Sequence, residues 1–147
     1  MDFNELITDF AARHGIADLA ADGNAAALDI DGIIVTLVAS DTSVSISADI
    51  GETPAEGRAD FAELLLEANL QSAAFFAKAP ESGTYIVVRH LALPTLEPDA
   101  FDSALEALVN QAETWRRLLA DFRPAAKAAA EEAAEAPTFG AGGFVQV

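Results

Sequence analysis

Between Ser43 and Ile50 the chain alternates without a break. Val44, Ile46, Ala48 and Ile50 are apolar, and Ser43, Ser45, Ser47 and Asp49 stand between them. Successive side chains of a β-strand point to opposite faces, so this run is a half-buried strand with one wet face. Two further strands precede it. Ile33–Ala39 is apolar and β-branched, as expected of a buried central strand. Leu28 and Ile30 alternate with Asp29 and Asp31, and Asp31-Gly32 is a two-residue hairpin signal. Asp41-Thr42 makes the next turn, so the three strands read as an antiparallel meander.

Helices flank the meander. Phe3, Leu6, Ile7, Phe10 and Ala11 recur at helical spacing, and Gly15 is placed to end that helix. After the meander, Thr53, Pro54 and Glu56 suit the N-cap, first and third positions of a capping box. Gly57 weakens that first turn, so the firm helix starts near Ala59 and runs to Asn69–Gln71. Ala73–Lys78 and Thr84–Leu91 follow as a second hairpin around Pro80-Glu81-Ser82-Gly83. Pro98 and Asp99 open a last long helix whose apolar stripe is Phe101, Leu105, Leu108, Ala112, Trp115 and Leu119. Ala104, Leu118 and Phe122 widen it, and Pro124 breaks it. Trp115, Phe101 and Leu108 are expected in the core. The predicted class is α+β, an antiparallel sheet sandwiched with helices in the order α-β-β-β-α-β-β-α. The domain spans residues 1–123. Residues 124–147 form a tail, first Ala/Glu-rich and marginally helical, then glycine-rich and mobile.

The helix at Asp60–Leu70 has one apolar face too many. Phe61, Leu64, Leu65 and Ala68 form one stripe. At roughly 100° per residue, Leu66 and Leu70 lie about 160° around from its middle. A helix in a small domain needs one apolar face, so a second calls for a partner, most simply another copy of the chain.

Charge narrows the range of partners. Asp and Glu number 24 against 8 Lys and Arg, a net charge of −16. Such a surface repels phosphate backbones and anionic lipids, which argues against nucleic-acid and membrane binding. Yet 52% of residues are apolar and the mean hydropathy is +0.25, so the chain folds and still exposes apolar surface. Like charge keeps such a protein soluble. The acidic N-terminus does not resemble a secretory signal.

Catalytic patterns are missing. There is no cysteine, hence no disulfide or thiolate chemistry. His14, at a helix end, and His90, beside Arg89, have no zinc-type spacing. Gly140-Ala141-Gly142-Gly143 lacks the lysine and helix of a phosphate loop. Asp29/Asp31 and Glu131/Glu132 read as solvated faces, and Asp41, Asp49 and Glu52 do not match a calcium loop. No enzyme activity, cofactor or metal is expected.

Three segments resemble the type III secretion chaperones of the Tir-chaperone (CesT-like) family. One is L-L-L-E-A-N-L at Leu64–Leu70, similar to that family's LLxANL helix end. Another is the strand Tyr85–His90 followed by L-A-L-P at Leu91–Pro94. The third is L-E-P-D-A-F at Leu96–Phe101 running into L-E-A-L-V-N-Q-A-E-T-W at Leu105–Trp115. The resemblance covers about residues 1–122. It departs at Q-S-A-A-F-F after Leu70, where a glycine-rich turn is usual, and in the longer tail. The resemblance implies a bacterial cytoplasmic homodimer that needs neither ATP nor a metal. Such a dimer holds an extended N-terminal segment of a secreted effector and keeps it competent for export. Its other implied partner is the export apparatus.

By that resemblance the second helix and the following strand build the dimer, here Leu66, Leu70, Phe75 and Phe76, unless the alternation of the two phenylalanines puts one in the core. The effector would meet Phe3, Ile7 and Phe10 of the first helix and Leu28, Ile30 and Ile46 of the meander, although these residues also suit a core. Phe139, Phe144 and Val145 of the tail are candidates to occupy an empty partner groove. Two other readings stay open. One is a non-catalytic regulator of the same fold without a role in secretion. The other is a scaffold subunit of an enzyme.

Overall fold

A computed structural model describes residues 1–123. The tail and its three apolar residues lie outside the described residues. The elements are α1 (Phe3–His14), β1 (Ala25–Ile30), β2 (Ile33–Ala39), β3 (Ser43–Glu52), α2 (Arg58–Ala68), β4 (Phe75–Lys78), β5 (Thr84–Ala92), a 3-10 turn (Leu93–Thr95) and α3 (Pro98–Ala120). The five strands form one sheet in the order β1-β2-β3-β5-β4, with every neighbouring pair antiparallel.

Local chemistry sets most boundaries. Asp2 caps α1 by accepting from Glu5 N at 2.8 Å, while Glu5 Oε2 accepts from Asp2 N at 3.0 Å. Gly15 ends the helix in the left-handed conformation. Asp31 and Gly32 both have positive φ, as the hairpin signal requires. Asp29 Oδ1 secures that turn by accepting from Gly32 N at 2.9 Å.

The core lies between one face of the sheet and the helices. Val35, Leu37, Val44, Ile46 and Val87 from the strands meet Leu6, Ile7, Phe61, Phe101, Leu105 and Leu108 from the helices, all fully buried. Phe61 sits at the centre of an aromatic group. Its ring centroid is 5.5 Å from Tyr85, 6.0 Å from Trp115 and 5.0 Å from Phe122.

Four expectations are corrected. The capping box at Thr53 does not form. Gly57, at φ 74°, interrupts the chain and becomes the N-cap, so α2 begins at Arg58. Strand β4 begins at Phe75, two residues late, because Ser72 Oγ accepts from Ala74 N and bonds Gln111, which holds residues 72–74 in a turn. Strand β2 is buried on one face only. Ile33, Val35, Leu37 and Ala39 point inward, while Ile34 and Val38 are 52% and 46% exposed. Leu64 of α2 and Leu118 of α3, both assigned to core stripes, are also exposed. Each lies at the margin of its stripe, beyond the reach of the neighbouring element. Trp115, Leu119 and Phe122 pack against the core only partly.

Candidate functional site

Two surfaces combine exposed apolar side chains with unpartnered backbone or helix faces. The first is the outer face of α2. Leu65 and Phe61 turn inward, which leaves Leu66 66% exposed on the opposite side and Leu70, in the turn just after the helix, 89% exposed. Asn69 joins this helix to β4. Its Oδ1 accepts from Phe76 N at 2.7 Å and its Nδ2 donates to Phe76 O at 3.4 Å. The side chain occupies the edge-facing backbone groups of β4, so that edge is closed to another strand at Phe76. Phe75 is half-buried on the outer face of the sheet, where its ring lies 5.4 Å from His90. His90 Nδ1 in turn lies 2.6 Å from Ser45 Oγ.

The second surface is the opposite edge of the sheet. Ile30 and Ile33 close a two-residue hairpin, so they exchange backbone hydrogen bonds. Alternation then makes Leu28/Val35 and Ala26/Leu37 bonded pairs, and Ala39 N donates to Asn24 O at 2.8 Å two residues on. Ala25, Ala27 and Asp29 therefore turn their N–H and C=O groups away from β2. Ala25 spends its pair on Asp22, at 2.8 and 3.1 Å. Among the described residues, no hydrogen bond reaches the outward backbone groups of Ala27 or Asp29. Beside this edge lies a groove of about 630 Å³ whose apolar lining includes Phe10, Ile16, Leu28, Ile30, Leu105 and Val109. Asp31, Asp102 and Glu106 also line it, and Asp29 contributes to its rim from the edge strand.

An ionic staple holds the groove's walls together. Arg13 of α1 donates to both carboxylate oxygens of Asp102 on α3, at 2.5 and 3.0 Å, and its Nε donates to Asp9 at 2.7 Å. His14 Nε2 lies 3.1 Å from Asp102 Oδ2. The Arg13 hydrogen bonds hold the Asp102 carboxyl below its ordinary range. Partial burial opposes this shift, and His14 adds to it. The same bonds, with Asp102 first and Asp9 second, hold Arg13 more firmly protonated than a free guanidinium.

The sequence matches the family model described as Tir chaperone protein (CesT) family over residues 5–116. The chain belongs to the CesT family. Among curated proteins no relative matches it. Several solved structures share the CesT-family fold seen here. A chain of the ExsC–ExsE complex superimposes with a TM-score of 0.69 at 24% identity, covering 81% of this chain and 97% of that one. The Yersinia pestis type III secretion chaperone SycH, solved in complex with a stable fragment of YscM2, gives 0.64 at 19% identity, with coverages of 78% and 99%. YbjN from E. coli, described as a candidate transcription regulator, gives 0.58 at 16% identity, with coverages of 79% and 90%.

In this CesT-family chain the residues expected to meet an effector are divided by the fold. Phe10, Leu28 and Ile30 converge on the β1 groove, Ile30 half-buried and the other two buried. Phe3 is buried beneath a separate depression of about 850 Å³ at the N-terminus of α1. Ile7 and Ile46 are interior and line neither groove, because the inner faces of α1 and β3 close on the core. On the other surface, Leu66 and Leu70 are open and Phe75 is half-open, but Phe76 is buried. Sequence reasoning missed Ile16, Ile34, Val109 and the Asn69 clamp. Ile16, directly after the helix-ending Gly15, was the one of these with a local signal. No helix among the described residues is long and apolar enough to cross a membrane. Nor do the described residues include a group of three or more His, Asp or Glu able to hold a metal ion.

Proposed function

We propose that this protein is a bacterial cytoplasmic chaperone for type III secretion. As a homodimer it holds an extended N-terminal segment of a secreted effector and keeps that segment soluble and export-competent. The observation that carries this reading is the CesT-family match over residues 5–116. The solved complexes of the same fold, SycH with a fragment of YscM2 among them, support it.

The physical basis is the division of labour between the two surfaces. The outer face of α2 at Leu66, with Leu70 in the turn after it and Phe75 of β4, meets its copy. The β1 edge pairs with the guest backbone at Ala27 and Asp29, and the groove takes guest side chains. An unfolded guest loses entropy on ordering. Strand addition and apolar burial at about 25 cal/mol per Å² offset that loss. The role needs neither ATP nor a metal. The net charge of −16 keeps empty chaperone from self-association beyond the dimer.

Co-purification from the native host followed by limited proteolysis tests the reading. A protected, extended N-terminal fragment bound to two chaperone chains is expected. Capture of a compact folded partner would refute it and favour a regulator of the same fold.

A further inference from the structure

Resting on that reading, we propose that the β1 edge selects its guest by charge, taking an extended segment in which a cationic residue stands between two apolar ones. The argument follows from the pleat. A strand added beside β1 is held by the backbones of Ala27 and Asp29. Guest residues opposite Leu28 and Ile30 point the same way as those two, toward Phe10, Leu105 and Val109. Those positions call for apolar side chains. The guest residue between them stands opposite Asp29 and points to the outer face of the sheet.

There the neighbours are unambiguous. Asp29 is exposed, and its cross-strand partner on β2 is the exposed Ile34. A lysine or arginine opposite Asp29 pairs its charge with that carboxylate and lays its methylene stem toward Ile34. Asp31 at the hairpin end adds negative charge close by, while Glu106 lies across the sheet on the groove side. Asp29 and Asp31 make no ion pair among the described residues, and the Arg13 guanidinium is already committed to Asp9 and Asp102. An acidic guest residue there would therefore meet the unpaired Asp29 carboxylate with Asp31 close by, and a basic one would compensate that charge.

The test uses the full chain and three synthetic 11-residue peptides. One is centred on Val-Lys-Val-Lys-Val, the second on Val-Glu-Val-Glu-Val, and the third repeats the first with alternate backbone nitrogens methylated. Binding is read by fluorescence anisotropy at low and high salt. The lysine peptide is expected to bind about tenfold tighter than the glutamate peptide near 0.1 M salt, and the preference should shrink severalfold near 1 M, where the screening length is about 3 Å. Asp29→Lys should reverse the order of the two peptides. Backbone methylation should abolish binding of the lysine peptide. Equal binding of both charged peptides, with loss on methylation, overturns charge selection but leaves the edge-binding chaperone standing. Failure of both to bind, while the protein still protects an effector fragment from proteolysis, also overturns the proposal alone. Failure of both together with no protected fragment overturns the chaperone reading as well.

Discussion

Replacing Leu66 and Leu70 together with aspartate should convert the proposed dimer into a folded monomer. The magnitude follows from their exposure of 66% and 89% in the single chain. Taking about 2 kcal/mol for full burial of a leucine, these fractions correspond to about 1.3 and 1.8 kcal/mol. A twofold axis presents each contact twice, so closing both faces is worth about 6 kcal/mol. At about 1.4 kcal/mol per decade, losing that burial weakens dimerisation by about ten-thousand-fold. Four added carboxylates per dimer weaken it further by repulsion. The protomer itself should be indifferent, since neither leucine belongs to the core or packs against it. Light scattering on a sizing column should give the 15.3 kDa chain mass for the variant and twice that for the parent. Circular dichroism should be unchanged between the two. A variant that stays dimeric at the same concentration with intact ellipticity would show that the α2 face is not the interface.

Other consequences concern the scaffold that presents the two surfaces. Asn69→Ala strips both hydrogen bonds from Phe76 and should cost about 1–3 kcal/mol in urea unfolding. Asn69→Asp, which keeps the acceptor of the shorter bond, should recover part of the loss; an unchanged midpoint for Asn69→Ala would dismiss the clamp. Gly51 has φ 150° at the β3 bulge, and a Cβ there would stand 2.9 Å from Leu119 Cδ2. Gly51→Ala should therefore destabilise by about 1–3 kcal/mol, and Leu119→Ala on the same background should be less than additive because it removes the clash. Additive losses would count against that contact. Asp102 has a depressed carboxyl value in the folded state, so its stabilisation is in place above the ordinary value of 3.8 and is lost as pH falls through the lower folded value. Asp102→Asn should flatten the acid limb of a stability–pH curve below that ordinary value. A limb of unchanged steepness would show that the staple contributes nothing.

The two surfaces differ in how far the sequence announced them. The α2 face was legible because Leu66 sits across the helix from Phe61 and Leu65, an angular relation that the helical repeat carries by itself, whereas Leu70, expected on the same helix, falls in the turn after Ala68 and stays exposed there. The β1 groove was legible only in part. Phe10, Leu28 and Ile30 were identified as apolar and well placed, but so were Ile7 and Ile46, and nothing in their spacing separates a groove wall from a core interior. The distinction depends on the gap beside β1 between α1 and α3, and on the Arg13–Asp102 bridge between residues 89 positions apart.

Phe75 and Phe76 show the same divide at the scale of one residue. Alternation requires them to face opposite ways, and pairing with Val88 and Val87 on β5 decides which one is buried. The sequence by itself determined the element types, the β1–β2 turn, the inward faces of α1 and β3, and the surplus apolar face of α2. These are local properties, written in periods of two and 3.6 and in glycine and capping chemistry. Only the tertiary structure decided that Ile34 and Val38 lie open, that Asn69 closes one sheet edge, and that Ala27 and Asp29 leave the other available. Periodicity says which face of an element is apolar, whereas what covers that face is settled by segments distant in the chain.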